Sequence, residues 1–419
     1  MSPARTYWVE TLGCPKNQVD SDKLVGTLEA DGLAAATSPD DADVVVVNTC
    51  AFIEAARQES IDTILALADG RRAGAELVVT GCMAERYGDE LAAALPEVDR
   101  VTGFGVPVTL GRKHATEPVP SLDLLNLPRP RSARPWAYVK IAEGCDRSCG
   151  FCAIPSFRGK QRSRSVEEIL QEVDSLAVQE VVLVAQDLAS YGRDVAGMGA
   201  GSIVPLVRAV AERVPRTRLL YLYPSDLSDE LIDVIGGPSG VPYYDLSLQH
   251  VSKSLLRRMR RWGDGDRFLR RIADIRARFP EAAFRSNFIV GYPGETEADH
   301  DQLLRFVEEG QLDWVGFFSY SKEDGTYAAD LDGDVDEGLV KERLLELEEL
   351  QEGITAAKRR ALVGSTIEVL VDVPGAARSH RETPEIDGIV EVPASLEVGT
   401  FRRVTVTGAF GPDLVATAE

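Results

Sequence analysis

Three cysteines in the segment EGCDRSCGFC set the narrowest limit on the fold of this chain, because binding one metal group requires their sulfur atoms to converge. Cys145, Cys149 and Cys152 follow a C-x-x-x-C-x-x-C spacing. Three thiolates at this spacing can bind three irons of a 4Fe–4S cluster and leave the fourth iron open to a substrate or cofactor. Zinc ribbons pair two C-x-x-C arms, and this sequence has one such arm, which argues against zinc. A cysteine cluster without a metal is the other alternative.

The same spacing resembles that of radical S-adenosylmethionine (SAM) enzymes, in which the amino acid end of SAM occupies the open iron. This resemblance implies that the cluster supplies an electron that splits SAM and generates a 5′-deoxyadenosyl radical. Such a radical is needed to break an unactivated C–H bond, because acid–base groups cannot do so at neutral pH.

The remaining cysteines, Cys14, Cys50 and Cys82, each follow a predicted strand. The strands TYWVETLG, DVVVVNT and AELVVTG alternate with helical segments, which predicts a parallel sheet. Ligands of such sheets bind at the carboxyl ends of the strands, so we expect these three thiols to converge there. They would provide ligands for a second cluster, which with a vacant iron could carry a sulfide. Buried core cysteines are the alternative interpretation.

The predicted fold class is α/β, with three parts. Residues 1–120 form an N-terminal parallel-sheet domain that contains the first cysteines, and residues 121–135, rich in Pro and Arg, form a linker. Residues 136–355 contain six strand candidates separated by helices, which predicts a partial (β/α)6 barrel. Residues 356–419 contain short strands typical of a small all-β, barrel-like domain.

Side chains at the carboxyl edge of the barrel are candidates for cofactor contacts. Phe151 lies between the last two cysteines, where its ring could pack on adenine or simply fill the loop. Gln186 and Asp187 end the second barrel strand, where polar groups could face SAM or the substrate. A basic run after the cysteines either screens the clusters, touches a substrate or forms a solvated face; its members are Arg158, Lys160, Arg162 and Arg164.

The charge of the chain bears on its partners. The sequence has 46 Lys and Arg against 67 Asp and Glu, a net charge of −21. This balance disfavours nucleic acids, which bind largely through phosphate neutralisation, and favours a basic protein partner. We find no apolar run near the roughly 20 residues that span a bilayer and no signal-peptide core at the start, so we expect no membrane association and a cytoplasmic location.

Over essentially its whole length the chain resembles the methylthiotransferase family of radical-SAM enzymes. The resemblance implies that Cys14, Cys50 and Cys82 hold an auxiliary 4Fe–4S cluster. It also implies that Cys145, Cys149 and Cys152 hold the SAM cluster, and that the last domain is an OB-like TRAM domain. In this family SAM is used twice, as methyl donor and as radical source, and we expect an electron-donor protein as a partner.

Two segments favour one branch of this family. LGCPKNQVDSD and CAIPSFRG are similar to the branch that modifies the β-carbon of an aspartate in small-subunit ribosomal protein S-twelve. The branch that modifies adenosine in tRNA is the alternative. Residues 355–419 carry seven Lys and Arg against nine Asp and Glu, and this acidic balance disfavours tRNA. A non-catalytic iron–sulfur electron carrier or an RNA-binding module is a third hypothesis.

Overall fold

The computed structural model describes residues 4–103 and 125–418. The predicted end of the first domain at residue 120 and the predicted start of the linker at residue 121 lie outside these residues. The strands are β1 (Thr6–Thr11), β2 (Ala34–Ala35), β3 (Val44–Thr49), β4 (Glu76–Gly81), β5 (Arg100–Val101), β6 (Trp136–Lys140), β7 (Ala142–Glu143), β8 (Arg162–Ser163), β9 (Glu180–Val184), β10 (Arg216–Leu219), β11 (Tyr243–Gln249), β12 (Ala283–Val290), β13 (Trp314–Ser319), β14 (Thr366–Val373), β15 (Ala376–Arg378), β16 (Val390–Glu391), β17 (Phe401–Phe410) and β18 (Asp413–Ala418).

The α-helices that are described in full are α1 (Pro15–Ala30), α2 (Glu54–Gly70), α3 (Cys82–Ala94), α4 (Ile154–Arg158), α5 (Val166–Leu176), α6 (Ile203–Ala211), α7 (Asp229–Gly236), α8 (Lys253–Arg258), α9 (Gly265–Arg278), α10 (Glu297–Gly310) and α11 (Glu337–Arg360). In the described ranges, no helix combines the length and the apolar character that a membrane crossing needs.

The N-terminal part is a five-stranded parallel sheet in the order β2-β1-β3-β4-β5. Its central strand β3 is buried at every position, as its run of four valines suggests, since parallel strands covered on both faces are continuously apolar. Because β1, β3 and β4 are neighbours, their carboxyl ends lie side by side. This arrangement confirms the predicted parallel-sheet domain.

The middle part has six parallel barrel strands, as predicted. They form two three-stranded sheets, β10-β9-β6 and β11-β12-β13, which are joined by a parallel bridge between Leu222 and Leu246. Alternate residues of these strands face opposite sides. Ala137 and Val139 pack with the surrounding helices, while Trp136 and Tyr138 pack in a second cluster inside the barrel.

The C-terminal part is a closed barrel in the order β14-β15-β16-β18-β17, which confirms the predicted small all-β domain. It packs against the amino ends of the middle strands. Arg378 pairs with Glu180, the first residue of β9, at 3.0 Å, and Tyr138 Oη donates to the carbonyl oxygen of Pro384 at 2.7 Å. Trp314 Nε1 donates to the carbonyl oxygen of Arg381 at 2.6 Å. This contact, which we call the barrel floor, leaves the carboxyl ends of the strands for the cysteines.

Most helices and strands lie where the sequence predicted them, and some do not. Helix α1 begins at Pro15, directly after Cys14, whereas the first helical segment predicted from the sequence, SDKLVGTLEADG, begins at Ser21. Proline fits this position, because the first turn of a helix needs no N–H from it. Helices α3, α4, α6 and α8 and the two-residue strands β2, β5, β7 and β8 were not predicted. The short elements among them carry little periodic signal, and α3 is interrupted at Gly88, where the backbone leaves the helical conformation.

Candidate functional site

The first three cysteines each lie where a strand gives way to a helix. Cys14 is the N-cap residue of α1, Cys50 follows β3 directly, and Cys82 is the first residue of α3. The backbone N–H groups at helix starts lack partners within the helix, and they favour negative charge. Each of these thiols therefore lies at a strand–helix junction, on the sheet edge where the sequence predicted them, and two of them lie at a helix start that favours a thiolate.

Close backbone packing brings these junctions together. Gly13 has a left-handed φ of +94°, and a Cβ atom there would lie 3.0 Å from Cys50 Sγ, so a side chain could not fit. Asn17 holds the junctions in place, because its Nδ2 donates to the carbonyl oxygens of Leu12 at 2.9 Å and Thr49 at 3.0 Å. Its Oδ1 lies 3.5 Å from Cys82 Sγ. We call these three thiols the first trio.

Arg158 connects the first trio to the barrel. It lies six residues after Cys152 at the end of α4, and it is 5% exposed. One of its terminal nitrogens lies 3.0 Å from Cys82 Sγ and 2.8 Å from Asn17 Oδ1. The other pairs with Glu143 at 2.9 Å and with Asp20 at 3.1 Å. The guanidinium thus bridges a thiol of the N-terminal part and a carboxylate that precedes the second set of cysteines.

Lys140 completes this polar contact. Its ammonium pairs with Glu143 at 2.8 Å and with Asp20, so two cations and two carboxylates form one buried group. Burial alone would raise the pKa of Glu143, but Arg158 and Lys140 together hold it well below its usual range. These two cations therefore favour the ionised form of Glu143 between the two sets of cysteines.

The second trio, Cys145, Cys149 and Cys152, lies in the loop between β7 and α4. The loop is fixed to the barrel at its centre, where Gly150 N–H donates to the carbonyl oxygen of Met259 and its carbonyl oxygen accepts from Ala328 N–H, both at 2.8 Å. A Cβ atom at Gly150 would lie 2.9 Å from the hydroxyl oxygen of Tyr292, so the backbone approaches the barrel closely here.

Positive groups face these sulfurs as well. The backbone N–H of Arg147 donates to Cys145 Sγ at 3.4 Å, and Arg261 donates to Cys149 Sγ at 3.1 Å. The ring of Tyr223 lies near both guanidiniums, 3.9 Å from Arg147 and 4.3 Å from Arg261. Both trios are therefore backed by arginine, which suits thiolates that would carry negative charge.

Burial dominates the acidity of most of these thiols. It raises the pKa of Cys50 and of Cys152 to about 12 and the pKa of Cys145 to about 11, and it raises the pKa of Cys82 despite the lowering effect of Arg158. For Cys14 the same burial is outweighed by Lys16, by backbone N–H groups and by Arg158, so its pKa is lowered. Because a metal binds the thiolate, iron binding at the buried thiols would release protons.

The donor sets fit iron–sulfur clusters better than a single ion. Within residues 4–103 and 125–418, no group of three or more His, Cys, Asp or Glu side chains is arranged to hold one metal ion. A 4Fe–4S cluster makes a different demand, because each thiolate binds its own iron atom. Three thiols with cationic neighbours in each trio meet that demand.

The structure places the candidate cofactor residues beside the second trio. Gln186 Nε2 donates to Glu143 at 2.6 Å, and the buried Gln186 Oε1 has no hydrogen-bond partner in the described part of the chain. Asp187 pairs with Arg147 at 2.5 Å and lines a cavity of about 160 Å³. Phe151 is half-buried and packs against the barrel core. The roles of all three remain predictions.

Some residues of this site were not evident from the sequence. The basic run that includes Arg158 was predicted to screen the clusters, touch a substrate or form a solvated face, whereas Arg158 and Arg164 are buried and Lys160 is exposed. Asn17 and Glu143 were not among the predicted site residues. Their only signals are adjacency, since Asn17 lies three residues after Cys14 and Glu143 two residues before Cys145, and adjacency does not reveal contacts across the fold.

Comparison with known proteins adds a separate observation. Residues 6–103 match the family described as Uncharacterized protein family UPF0004, residues 139–307 match the Radical SAM superfamily, and residues 363–418 match the TRAM domain. The first range contains the first trio and the second range contains the second trio.

Relatives match along nearly the whole chain. The ribosomal protein uS12 methylthiotransferase RimO of Kineococcus radiotolerans is 41% identical over 99% of this chain and 97% of its own length. The RimO proteins of Moorella thermoacetica and Aquifex aeolicus are 44% and 42% identical, over 92% and 97% of this chain and 92% and 95% of their own lengths. The chain therefore belongs to the RimO family of radical-SAM methylthiotransferases.

Proposed function

We propose that this enzyme replaces a hydrogen on the β-carbon of an aspartate in ribosomal protein uS12 with a methylthio group, using SAM as methyl donor and as radical source. The observation that carries the proposal is the placement of two cysteine trios on either side of one buried polar group, formed by Asp20, Lys140, Glu143 and Arg158. Sulfur insertion at an unactivated carbon needs a radical source and a sulfur source close to each other. Two neighbouring cysteine trios would hold one source each.

Each trio would hold one 4Fe–4S cluster. Cys145, Cys149 and Cys152 would bind the cluster that also binds SAM, and Cys14, Cys50 and Cys82 would bind the auxiliary cluster. When bound, the former would supply the electron for cleavage of SAM to a 5′-deoxyadenosyl radical and methionine, and the latter would supply the sulfur. The arginines beside Cys82 and Cys149 donate to these sulfurs and would offset the negative charge of the liganded thiolates.

The side chains around the second trio would position SAM. Gln186 is held by Glu143 through its amide nitrogen, which leaves its buried carbonyl oxygen able to accept a hydrogen bond from a bound molecule. Asp187 is held by Arg147 and by Ser190 Oγ, at 2.5 and 2.7 Å. Phe151 supplies an aromatic surface in the cysteine loop.

The second candidate function, a tRNA adenosine methylthiotransferase, is not the one that the names of the relatives support. It requires the same clusters and SAM, so the cysteines do not separate the two. The acidic balance of the C-terminal domain favours a basic ribosomal protein over tRNA. We further expect uS12, free or within the small subunit, and an electron-donor protein as partners, and a cytoplasmic location.

A substrate comparison tests this proposal. The anaerobically purified enzyme, with a reductant and SAM, is given either a peptide of the uS12 aspartate loop or a tRNA anticodon stem-loop. We expect the mass gain of a methylthio group on the aspartate peptide alone. A gain on the RNA alone would contradict the uS12 assignment and support the second candidate. SAM cleavage without a gain on the peptide, on uS12 within the small subunit or on the RNA would contradict both.

Substitution of single cysteines tests the two cluster assignments. Cys149→Ala should abolish 5′-deoxyadenosine formation, because it removes one of three ligands of the SAM cluster. Cys50→Ala should retain SAM cleavage and lose methylthio transfer. Normal 5′-deoxyadenosine formation by the first variant, or normal product formation by the second, would show that the corresponding assignment is wrong.

A further inference from the structure

Lys16 presents a positive charge between the first trio and the barrel. It lies in the first turn of α1, two residues after Cys14, and its Nζ atom is 3.4 Å from the centroid of the Tyr221 ring. Tyr221 follows β10 and has a left-handed φ of +65°, which is unusual for a bulky residue. Tyr221 thus combines this unusual backbone conformation with a ring that lies directly against the Lys16 ammonium.

The charge of Lys16 lacks a carboxylate partner in residues 4–103 and 125–418, where no ion pair forms within 4.0 Å of its nitrogen. Two other lysines at the same contact between the N-terminal part and the barrel are paired, Lys23 with Glu172 at 2.7 Å and Lys140 with Glu143 at 2.8 Å. Lys16 is also only partly buried, so a ligand can reach it. The ring face attracts the ammonium through its quadrupole but carries no net charge, so the ammonium keeps its full positive charge for an anion.

We propose that Lys16 binds the side-chain carboxylate of the substrate aspartate and so holds the β-carbon beside the first trio. This inference rests on the proposed function. One bond separates the carboxylate from the β-carbon, so a cation that fixes the former also fixes the carbon that reacts. SAM carries a carboxylate too, and the experiment must separate these two sources.

The competing explanation is purely electrostatic. Lys16 contributes to the lowered pKa of Cys14, and it could serve only to offset the charge of the first trio. In that case its removal would change the cluster and would affect substrates with and without a carboxylate equally. If Lys16 contacts the substrate, its removal will matter only for the substrate that carries the carboxylate.

A double-mutant cycle between enzyme and peptide separates these explanations. The reconstituted enzyme, Lys16→Met and Lys16→Gln are each titrated with a labelled uS12 loop peptide and with the same peptide in which Asn replaces the aspartate. Binding is followed anaerobically by fluorescence anisotropy, with and without SAM. Lys253→Met is the matched control, because Lys253 is exposed and forms no ion pair in the described ranges. Iron content and SAM affinity are measured for every variant.

We expect the unmodified enzyme and Lys253→Met to bind the Asp peptide on the order of tenfold to a hundredfold more tightly than the Asn peptide, as for a hydrogen bond between charged groups. In Lys16→Met and Lys16→Gln this preference should fall to about twofold or less, with iron content and SAM affinity unchanged. A preference that survives in both variants would overturn the proposal. Loss of iron in both would also overturn it, by assigning Lys16 to the cluster, and loss of SAM affinity would assign it to the SAM carboxylate.

These outcomes are distinguishable from failure of the proposed function. If the unmodified enzyme modifies the Asp peptide while the Lys16 variants keep their preference for it, only the role of Lys16 is wrong. If the unmodified enzyme modifies only the tRNA stem-loop, the proposed substrate itself is wrong.

Discussion

Replacing Arg158 with methionine should weaken the contact between the N-terminal part and the barrel. Arg158 belongs to a buried group of four charges, in which it and Lys140 balance Asp20 and Glu143. Arg158→Met keeps most of the side-chain volume and removes one positive charge. The remaining group then carries one uncompensated negative charge in a buried position.

The size of the effect follows from this count. Breaking a buried ion pair by removing one partner costs about 3–5 kcal/mol. Because Lys140 still pairs with both carboxylates, we expect the lower end, about 3 kcal/mol. Adding Glu143→Gln restores the balance, since Lys140 then faces Asp20 alone. The double variant should therefore regain about 1 kcal/mol or more of the lost free energy of unfolding, which is in the range of coupling energies between residues in contact.

Thermal unfolding of the metal-free protein measures both values. A loss of about 3 kcal/mol should lower the midpoint of thermal unfolding by roughly 6–12 °C, the shift expected for a domain of about 150–250 residues such as the barrel. Arg270→Met is the control, because Arg270 is exposed and forms no ion pair in the described part of the chain. The reasoning is refuted if Arg158→Met melts no lower than this control, or if Glu143→Gln in the same chain gives no recovery.

Three further predictions concern other contacts. Glu323 is 2% exposed and pairs with Arg57 of α2 and Arg86 of α3. Glu323→Gln should therefore lower the free energy of unfolding by about 3 kcal/mol and speed hydrogen exchange in these two helices. The control Asp324→Asn, at the exposed neighbour, should change neither. Gly150→Ala should reduce 5′-deoxyadenosine formation, because the added methyl group would meet the Tyr292 hydroxyl at 2.9 Å, and Tyr292→Phe in the same chain should restore part of it. Burial raises the pKa of Asp387 to about 6, so the folded state binds an extra proton between about pH 4 and pH 6, and stability falls as the pH rises through this range. Asp387→Asn should therefore stabilise the protein, relative to the parent, by roughly 2 kcal/mol more at pH 7.5 than at pH 4, as urea titrations at both values would show. Equal effects at the two pH values would contradict this.

The sequence predicted the fold well, because its signals are local. The valine run of β3 and the regularly spaced strand segments of the barrel can each be recognised as strands from a few consecutive residues. The position of Cys14, Cys50 and Cys82 at one sheet edge followed from a general property of parallel sheets. The start of α1 was placed too late, because the polar residues after Pro15 carry no apolar periodicity.

The centre of the site was less predictable, because its contacts join distant parts of the chain. Arg158 and Asn17 are 141 positions apart, and Arg158 and Cys82 are 76 apart. A single sequence contains no signal for such a pair, and an arginine in a basic run is usually solvated. The position of Lys16 over the ring of Tyr221 likewise depends on how α1 docks on the barrel.

The barrel floor has a consequence for protein engineering. Glu180 and Arg218 are both fully buried, and each is paired across the floor with a group of the C-terminal domain: Arg378 with Glu180, and Arg218 with the carbonyl oxygen of His380. The domain therefore closes the amino end of the barrel through specific polar contacts and is not an independent module. A chimera that takes this domain from a relative will need the residues at positions 180 and 218 from the same relative, because these barrel residues form the contacts with the domain. The exchangeable unit is therefore the domain together with the barrel residues that it contacts.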